Sequence, residues 1–149
     1  VVAPSLTFTD PKGTVVWKLK AEAATVAPEE VAQGQAYRGG LRNGTVTLYQ
    51  QGKPAATLKA KIVRADQATR TVVGEGDVVV RSLASPDAPA IRADTMTWRY
   101  DADQITGHGN VLVTREPDMR VPGDRFTADT AVRRFRLYNG SGGSASGSF

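Results

Sequence analysis

The sequence predicts an all-β protein, a stack of successive antiparallel hairpins, and three observations carry that prediction. A unit of 33 residues repeats without a gap, apolar residues alternate with period two, and turn-forming residues break the alternation at short intervals. Helical periodicity is almost absent.

The repeat is clearest where Ala60 and Gly74-Glu75-Gly76-Asp77-Val78 return as Ala93 and Gly107-His108-Gly109-Asn110-Val111, each displaced by 33 residues. Each copy reads as an apolar run, a polar turn, a short strand, a Gly-x-Gly corner and a valine-rich strand. Such a unit cannot bury its apolar face alone and must stack on its neighbours. Looser copies flank the pair. One begins at Leu19-Lys20-Ala21 and reaches Gly44-Thr45-Val46, and another shows in Val121-Pro122-Gly123-Asp124.

Taken in order, the turn Asp10-Pro11-Lys12-Gly13 leads into Val15, Trp17, Leu19 and Ala21 on one face, with Lys18 and Lys20 opposite. Ala27-Pro28-Glu29-Glu30-Val31-Ala32 is the one weak helix candidate and reads as a loop or a single turn. Val46 and Leu48 then share a face, against Thr45, Thr47 and Tyr49. After Gln51-Gly52-Lys53-Pro54, the residues Ala56, Leu58, Ala60 and Ile62 continue one side, against Thr57, Lys59 and Lys61. Asp66-Gln67-Ala68-Thr69 precedes the first Gly-x-Gly strand, and Ser85-Pro86-Asp87-Ala88-Pro89 follows it. In the second copy Ile91 and Ala93 are odd, whereas Met96, Trp98 and Tyr100 are even, which predicts a bulge or corner near Asp94-Thr95. Asp101-Ala102-Asp103 and Glu116-Pro117-Asp118 make the later turns, and Phe135-Arg136-Leu137-Tyr138 is expected as the last strand. Many short strands of this kind form a sandwich, barrel or jelly roll. Residues 1–138 read as one domain, and the Gly/Ser tract 139–149 as a flexible tail or a cloning scar without fold information.

Composition narrows the function. The chain has 149 residues, no cysteine, and a formal charge of +4. Disulfides, thiolate metal sites and cysteine nucleophiles are therefore excluded. No run approaches the ~18 apolar residues of a membrane span. The mild positive balance permits an anionic partner. The basic residues lack the aromatic interleaving of single-strand platforms, so no nucleic acid partner is expected.

No catalytic constellation emerges. The Gly-x-Gly pairs lead into valine strands, with no helix or Lys-Ser/Thr after them, and so read as tight corners instead of phosphate loops. His108, the only histidine, sits within one of them and is expected in an exposed turn. Asp101 and Asp103 are explained by turn chemistry, and no calcium-type ligand spacing surrounds them. Trp17 and Trp98 read as core anchors. No enzyme activity, cofactor or metal is expected.

The order of these motifs resembles the lipopolysaccharide-transport periplasmic proteins that share the organic-solvent-tolerance A (OstA) repeat. Asp10-Pro11-Lys12-Gly13-Thr14-Val15-Val16-Trp17-Lys18-Leu19-Lys20-Ala21 looks like the opening of the inner-membrane-anchored LptC type. Tyr49–Pro54 with Leu58-Lys59-Ala60, Gly76–Val80, Ile91–Trp98, Gly107–Val113 and Gly123–Phe126 continue the match. The N-terminal membrane helix of that type is not in this sequence. The resemblance implies a twisted, incompletely closed, V-shaped antiparallel β-jelly roll in the periplasm, tethered to the inner membrane in the anchored type. It also implies lipopolysaccharide as ligand, with its lipid A acyl chains held between two sheets. Sister β-jelly-roll domains and the inner-membrane transporter complex are the implied protein partners.

The residues expected to line that groove are Val15, Trp17, Leu19, Val46, Leu48, Leu58, Ile62, Val78, Val80, Ile91, Val111, Val113, Phe126, Phe135 and Leu137. The same side chains would equally make an ordinary dry core, or the core of a carbohydrate-binding roll. Partner pairing is expected at the edges, through Leu6, Thr7 and Phe8 and through Arg134, Phe135, Arg136, Leu137 and Tyr138. Open edges offer free N–H and C=O groups for strand addition, including head-to-tail self-association. Lys18, Lys20, Lys59 and Lys61 fall on the outer face by parity.

Overall fold

A computed structural model describes residues 5–21, 23–24, 41–66, 68–83, 88–115, 118–139 and 143–148. The helix candidate at 27–32 and parts of the expected turns, at 85–87 and 116–117, lie outside the described residues. The strands are β1 (Ser5–Thr9), β2 (Val15–Lys20), β3 (Ala23–Ala24), β4 (Leu41–Gln50), β5 (Lys53–Asp66) and β6 (Thr71–Ser82). They continue with β7 (Ala90–Arg99), β8 (Gln104–Arg115), β9 (Met119–Ala128), β10 (Arg134–Asn139) and β11 (Gly143–Ser148). All pairs are antiparallel, in the order β1-β2-β4-β5-β6-β7-β8-β9-β10-β11, with β3 beside β4. The first and last strands of this path do not pair, so the sheet stays open.

The turns follow the local chemistry. Asp10 closes the β1–β2 turn, its carboxylate accepting from the N–H groups of Lys12 and Thr14 at 2.9 Å each. Gln51 and Gly52 both take positive φ, 54° and 77°, the geometry of a tight hairpin between β4 and β5. Asp66 caps the β5–β6 turn through the N–H of Ala68.

A crease divides the sheet into two leaves. Along β6 it passes through Gly76-Asp77 and along β8 through Gly109-Asn110, all four in the left-handed region with φ between 46° and 85°. There the register slips, between Glu75 and Val78 on β6 and between His108 and Val111 on β8. The Gly-x-Gly pairs are thus bulges inside two long strands, where turns joining separate strands were expected. Gly109 is required twice over, because its φ is +85° and an added Cβ would meet the Asp94 carboxylate at 2.6 Å. His108 is exposed, as expected, but stands in the middle of β8 and not in a turn.

The strands beside these bulges change parity at the crease. On β7 the inward residue Ala93 is followed by Met96, and on β5 Ala60 is followed by Val63. On β4 Leu41 is followed by Gly44, across Asn43 with φ 49°. β6 and β8 absorb one residue more and keep their parity, with Gly74 then Val78 and Gly107 then Val111 inward. The 33-residue unit is therefore one hairpin whose two strands both cross the crease. The corner expected near Asp94-Thr95 is one station on that line.

The first leaf holds β1, β2 and the portions of β4 to β9 that pair with one another on the β1 side of the crease. The second holds β3, the remaining portions, β10 and β11. Their inner faces share a single buried apolar cluster, in which Leu48, Leu58, Val80 and Val113 of the first leaf accompany Val63, Met96, Ile105 and Leu137 of the second. A β-jelly roll of V-shaped section is the result.

The C-terminal edge differs from expectation. β10 is not the last strand: it pairs on one side with β9 and on the other with β11, Arg134 facing Ser148 and Tyr138 facing Ser144. The Gly/Ser tract expected as a tail contributes this strand. An open edge is a template for any extended segment, and the one that follows in the chain is within reach.

Candidate functional site

The interior between the leaves is the candidate site. Of the residues expected to line it, Trp17, Leu19, Val46, Leu48, Leu58, Val78, Val80, Ile91, Val111, Val113, Phe126 and Leu137 are all buried, none more than 3% exposed. One expectation needs correction: Ile62 is half-buried on the outer face, facing Arg42 and Glu75 across the ladder, because the parity change puts Val63 inward. Val15 is half-buried at the margin of β2, and Phe135 is half-buried and packs against the core cluster. Residues outside the expected groove set complete the lining: Leu41, Val63, Val72, Met96, Ile105 and Val132.

Opposite the crease, the tips of the leaves meet and close the mouth. Gln50 at the end of β4 donates its Nε2 to both carboxylate oxygens of Asp103, at 3.3 and 3.2 Å. Asp103, in the β7–β8 turn, also accepts the backbone N–H of Thr130 at 3.0 Å. The Thr130 hydroxyl in turn accepts the indole N–H of Trp98 at 3.0 Å. Asp103 thus clasps the first leaf to the β9–β10 turn of the second. That turn places Ala131 and Val132 in the interior, 4% and 0% exposed. Val132 does so at φ 55°, a strained conformation for a β-branched residue costing ~1–3 kcal/mol. Its N–H bonds the Asp129 carbonyl, and the Asp129 carboxylate accepts from the N–H groups of Arg133 and Arg134.

Further along the same seam an aromatic chain joins the leaves. Phe8 of β1 stacks on Trp17 of β2 with centroids 5.5 Å apart, and also approaches Tyr100 at 5.5 Å. Tyr100 meets Trp98 at 5.4 Å. Burial raises the Tyr100 phenol pKa, with Arg70 opposing. The indole N–H of Trp17 is buried without an acceptor among the described residues. Such an orphan costs ~1–3 kcal/mol until something accepts from it. Neither tryptophan presents an exposed face, which removes the sugar platform of a carbohydrate-binding roll.

Beside the latch lies an open pocket of about 280 Å³, between Gln50, Lys53, Ala55 and Leu83 of the first leaf and Ala131 and Arg133 of the second. Among the described residues no group of acidic or histidine side chains could hold a metal ion. No helix there is long and apolar enough to cross a membrane. Lys18, Lys20, Lys59 and Lys61 are exposed on the outside, as parity implies. The sequence carried no signal for the Gln50–Asp103–Thr130 latch, since its members lie far apart in the chain and each reads locally as turn chemistry.

Comparison with known proteins agrees with this geometry. The chain is similar in fold to LptH from Pseudomonas aeruginosa, described as the LptA-homologous periplasmic component of the lipopolysaccharide transport device. That match has a TM-score of 0.61 and 14% identity, covering 88% of this chain and 93% of that one. No curated protein matches the sequence. A family model for lipopolysaccharide assembly, LptC-related, matches residues 3–144. The chain therefore belongs to the LptC-related lipopolysaccharide-assembly family, whose members are non-enzymatic periplasmic scaffolds of the lipopolysaccharide transport bridge.

Proposed function

We propose that this domain holds lipopolysaccharide acyl chains between its two leaves and passes them along a row of sister β-jelly-roll domains. One observation supports this above the others: the interior is apolar on both leaves, while its mouth is shut by a polar latch instead of a continued sheet. Hydrocarbon moved from water to an apolar interior contributes ~0.8 kcal/mol per CH₂, so acyl chains gain by leaving water for the space between the leaves. Entry requires Gln50 and the 129–133 turn to part from Asp103, and the strain at Val132 favours that movement. The Trp17 indole N–H offers a donor to the carbonyl of an acyl linkage. Transfer is passive, with the energy supplied by a partner.

The edges support the second half of the reading. β1, with Leu6, Thr7 and Phe8, has one side without a partner strand among the described residues and suits strand addition from the transporter side. At the other end a sister domain would add to β11, or would displace β11 and pair with Arg134–Tyr138 of β10.

A photocrosslinking residue at Leu48, and separately at exposed Lys61, tests the interior. Illumination with lipopolysaccharide is expected to give a lipid adduct at Leu48 and none at Lys61. Absence of adduct at both, in folded protein, means the roll stays closed and dry, and the acyl-binding reading falls.

A further inference from the structure

The exterior of the first leaf carries an arrangement that acyl binding does not use. Cross-strand register places Lys20, Thr45, Lys59, Val79, Arg92 and Leu112 on one line over β2, β4, β5, β6, β7 and β8. The adjacent line runs from Lys18 through Thr47, Thr57 and Arg81 to Ala90, Thr114 and Arg120. Lys18, Lys20, Lys59, Arg81, Arg92 and Arg120 are all exposed, and neither line contains a carboxylate. With strands ~4.8 Å apart, Lys59 stands about 10 Å from Lys20 on one side and about 10 Å from Arg92 on the other. Lys18 lies over the Tyr49 ring at 5.8 Å, and none of the other five enters an ion pair among the described residues.

Neither row takes in a described acidic residue of this leaf: Asp10 and Asp118 stand in its end turns, and Asp124 follows Gly123 at the crease. Asp77 and Asp94 sit at the crease, where Asp77 pairs with Lys61 at 3.2 Å and Asp94 accepts from Asn110 at 2.9 Å. On the second leaf Arg64 pairs with Glu75 at 3.0 Å on the outer face and Arg70 approaches Asp101 at 3.9 Å at the tip, while Arg42, Arg99, Arg134 and Arg136 are exposed there without aligning in two cross-strand rows. The two cationic rows of the first leaf are thus exposed and without an ion pair among the described residues.

We propose that the outer face of the first leaf rests on an anionic phospholipid surface. Spaced cations set among threonines, with no deep apolar anchor, do not match the aromatic centre that organises a protein interface. They match a plane of phosphates, to which each exposed Lys or Arg adds about fivefold in affinity near the surface. This surface is separate from the interior, so the inference stands or falls independently of acyl binding.

The test is co-sedimentation of the full chain with vesicles free of lipopolysaccharide. Phosphatidylcholine vesicles with phosphatidylglycerol should carry the protein down, and phosphatidylcholine alone should not. Binding should fall steeply with salt, as screening between exposed charges requires. The double substitution Lys59→Glu with Arg92→Glu should lower binding at least tenfold. The matched pair Arg42→Glu with Arg99→Glu, on the second leaf, changes net charge equally and should stay within about twofold of the native protein. Equal losses in the two pairs would mean net charge alone drives binding and would overturn the proposal. So would absence of binding by the native chain, or equal binding to both kinds of vesicle.

Discussion

The two leaves are made by the same strands, yet they were not equally visible in the sequence. Ten of the residues expected inside belong to the first leaf and are buried there, from Trp17 and Leu19 through Val46, Leu48 and Leu58 to Val78, Val80, Ile91, Val111 and Val113. On the second leaf Phe126 and Leu137 are the expected lining residues that are buried, beside the expected core anchor Trp98, while Ile62 pointed the wrong way and Val63, Met96 and Ile105 were not singled out as lining. The cause is the crease. An alternation read along β4, β5 or β7 changes sign where the strand crosses the crease, whereas β6 and β8 take in one residue more there and keep theirs. The first leaf carries the long valine-rich alternations. The second inherits whatever parity the crease leaves.

That difference can be broken at a single pair of neighbours. Val63→Ala should cost ~2 kcal/mol in urea unfolding, because it opens space in a fully buried position. Ile62→Ala, a larger truncation, should cost under ~1 kcal/mol, since Ile62 is half-buried on the exterior. If Ile62→Ala proves the more damaging, the parity change on β5 is wrong.

The leaves also differ in how they close. The first contributes Gln50 alone to the latch, whereas the second supplies Asp103, Thr130 and Trp98. Asp103→Ala removes the shared acceptor and should lower stability by ~1 kcal/mol. It should also speed adduct formation from a crosslinker at Leu48. Loss of stability with an unchanged capture rate would leave Asp103 a turn residue and nothing more.

The smallest effect concerns Tyr100, where the aromatic seam joins the leaves. Its folded pKa is raised by burial above the ordinary 10.0, so the unfolded chain ionises first. Stability from this group is complete below about pH 10 and is lost as pH climbs through the raised folded value. Tyr100→Phe should flatten the decline of the urea midpoint above about pH 10. An unchanged decline would mean the phenol is as free in the folded protein as in the unfolded chain.

The sequence by itself determined the class of fold, the hairpin repeat, the absence of a catalytic constellation and most of the first leaf's lining. All of these follow from local alternation and turn chemistry, which act over a few residues. The ordered motifs also sufficed for the family resemblance. Tertiary structure alone decided three things. It decided which residues line the second leaf, because β4, β5 and β7 change parity at the crease while β6 and β8 do not. It decided that Gln50, Asp103 and Thr130 close the mouth, because they meet only when the sheet folds on its crease. And it decided that β11 covers β10, because the unpaired hydrogen-bonding groups of an edge strand recruit any backbone that can lie extended beside them, whatever its side chains.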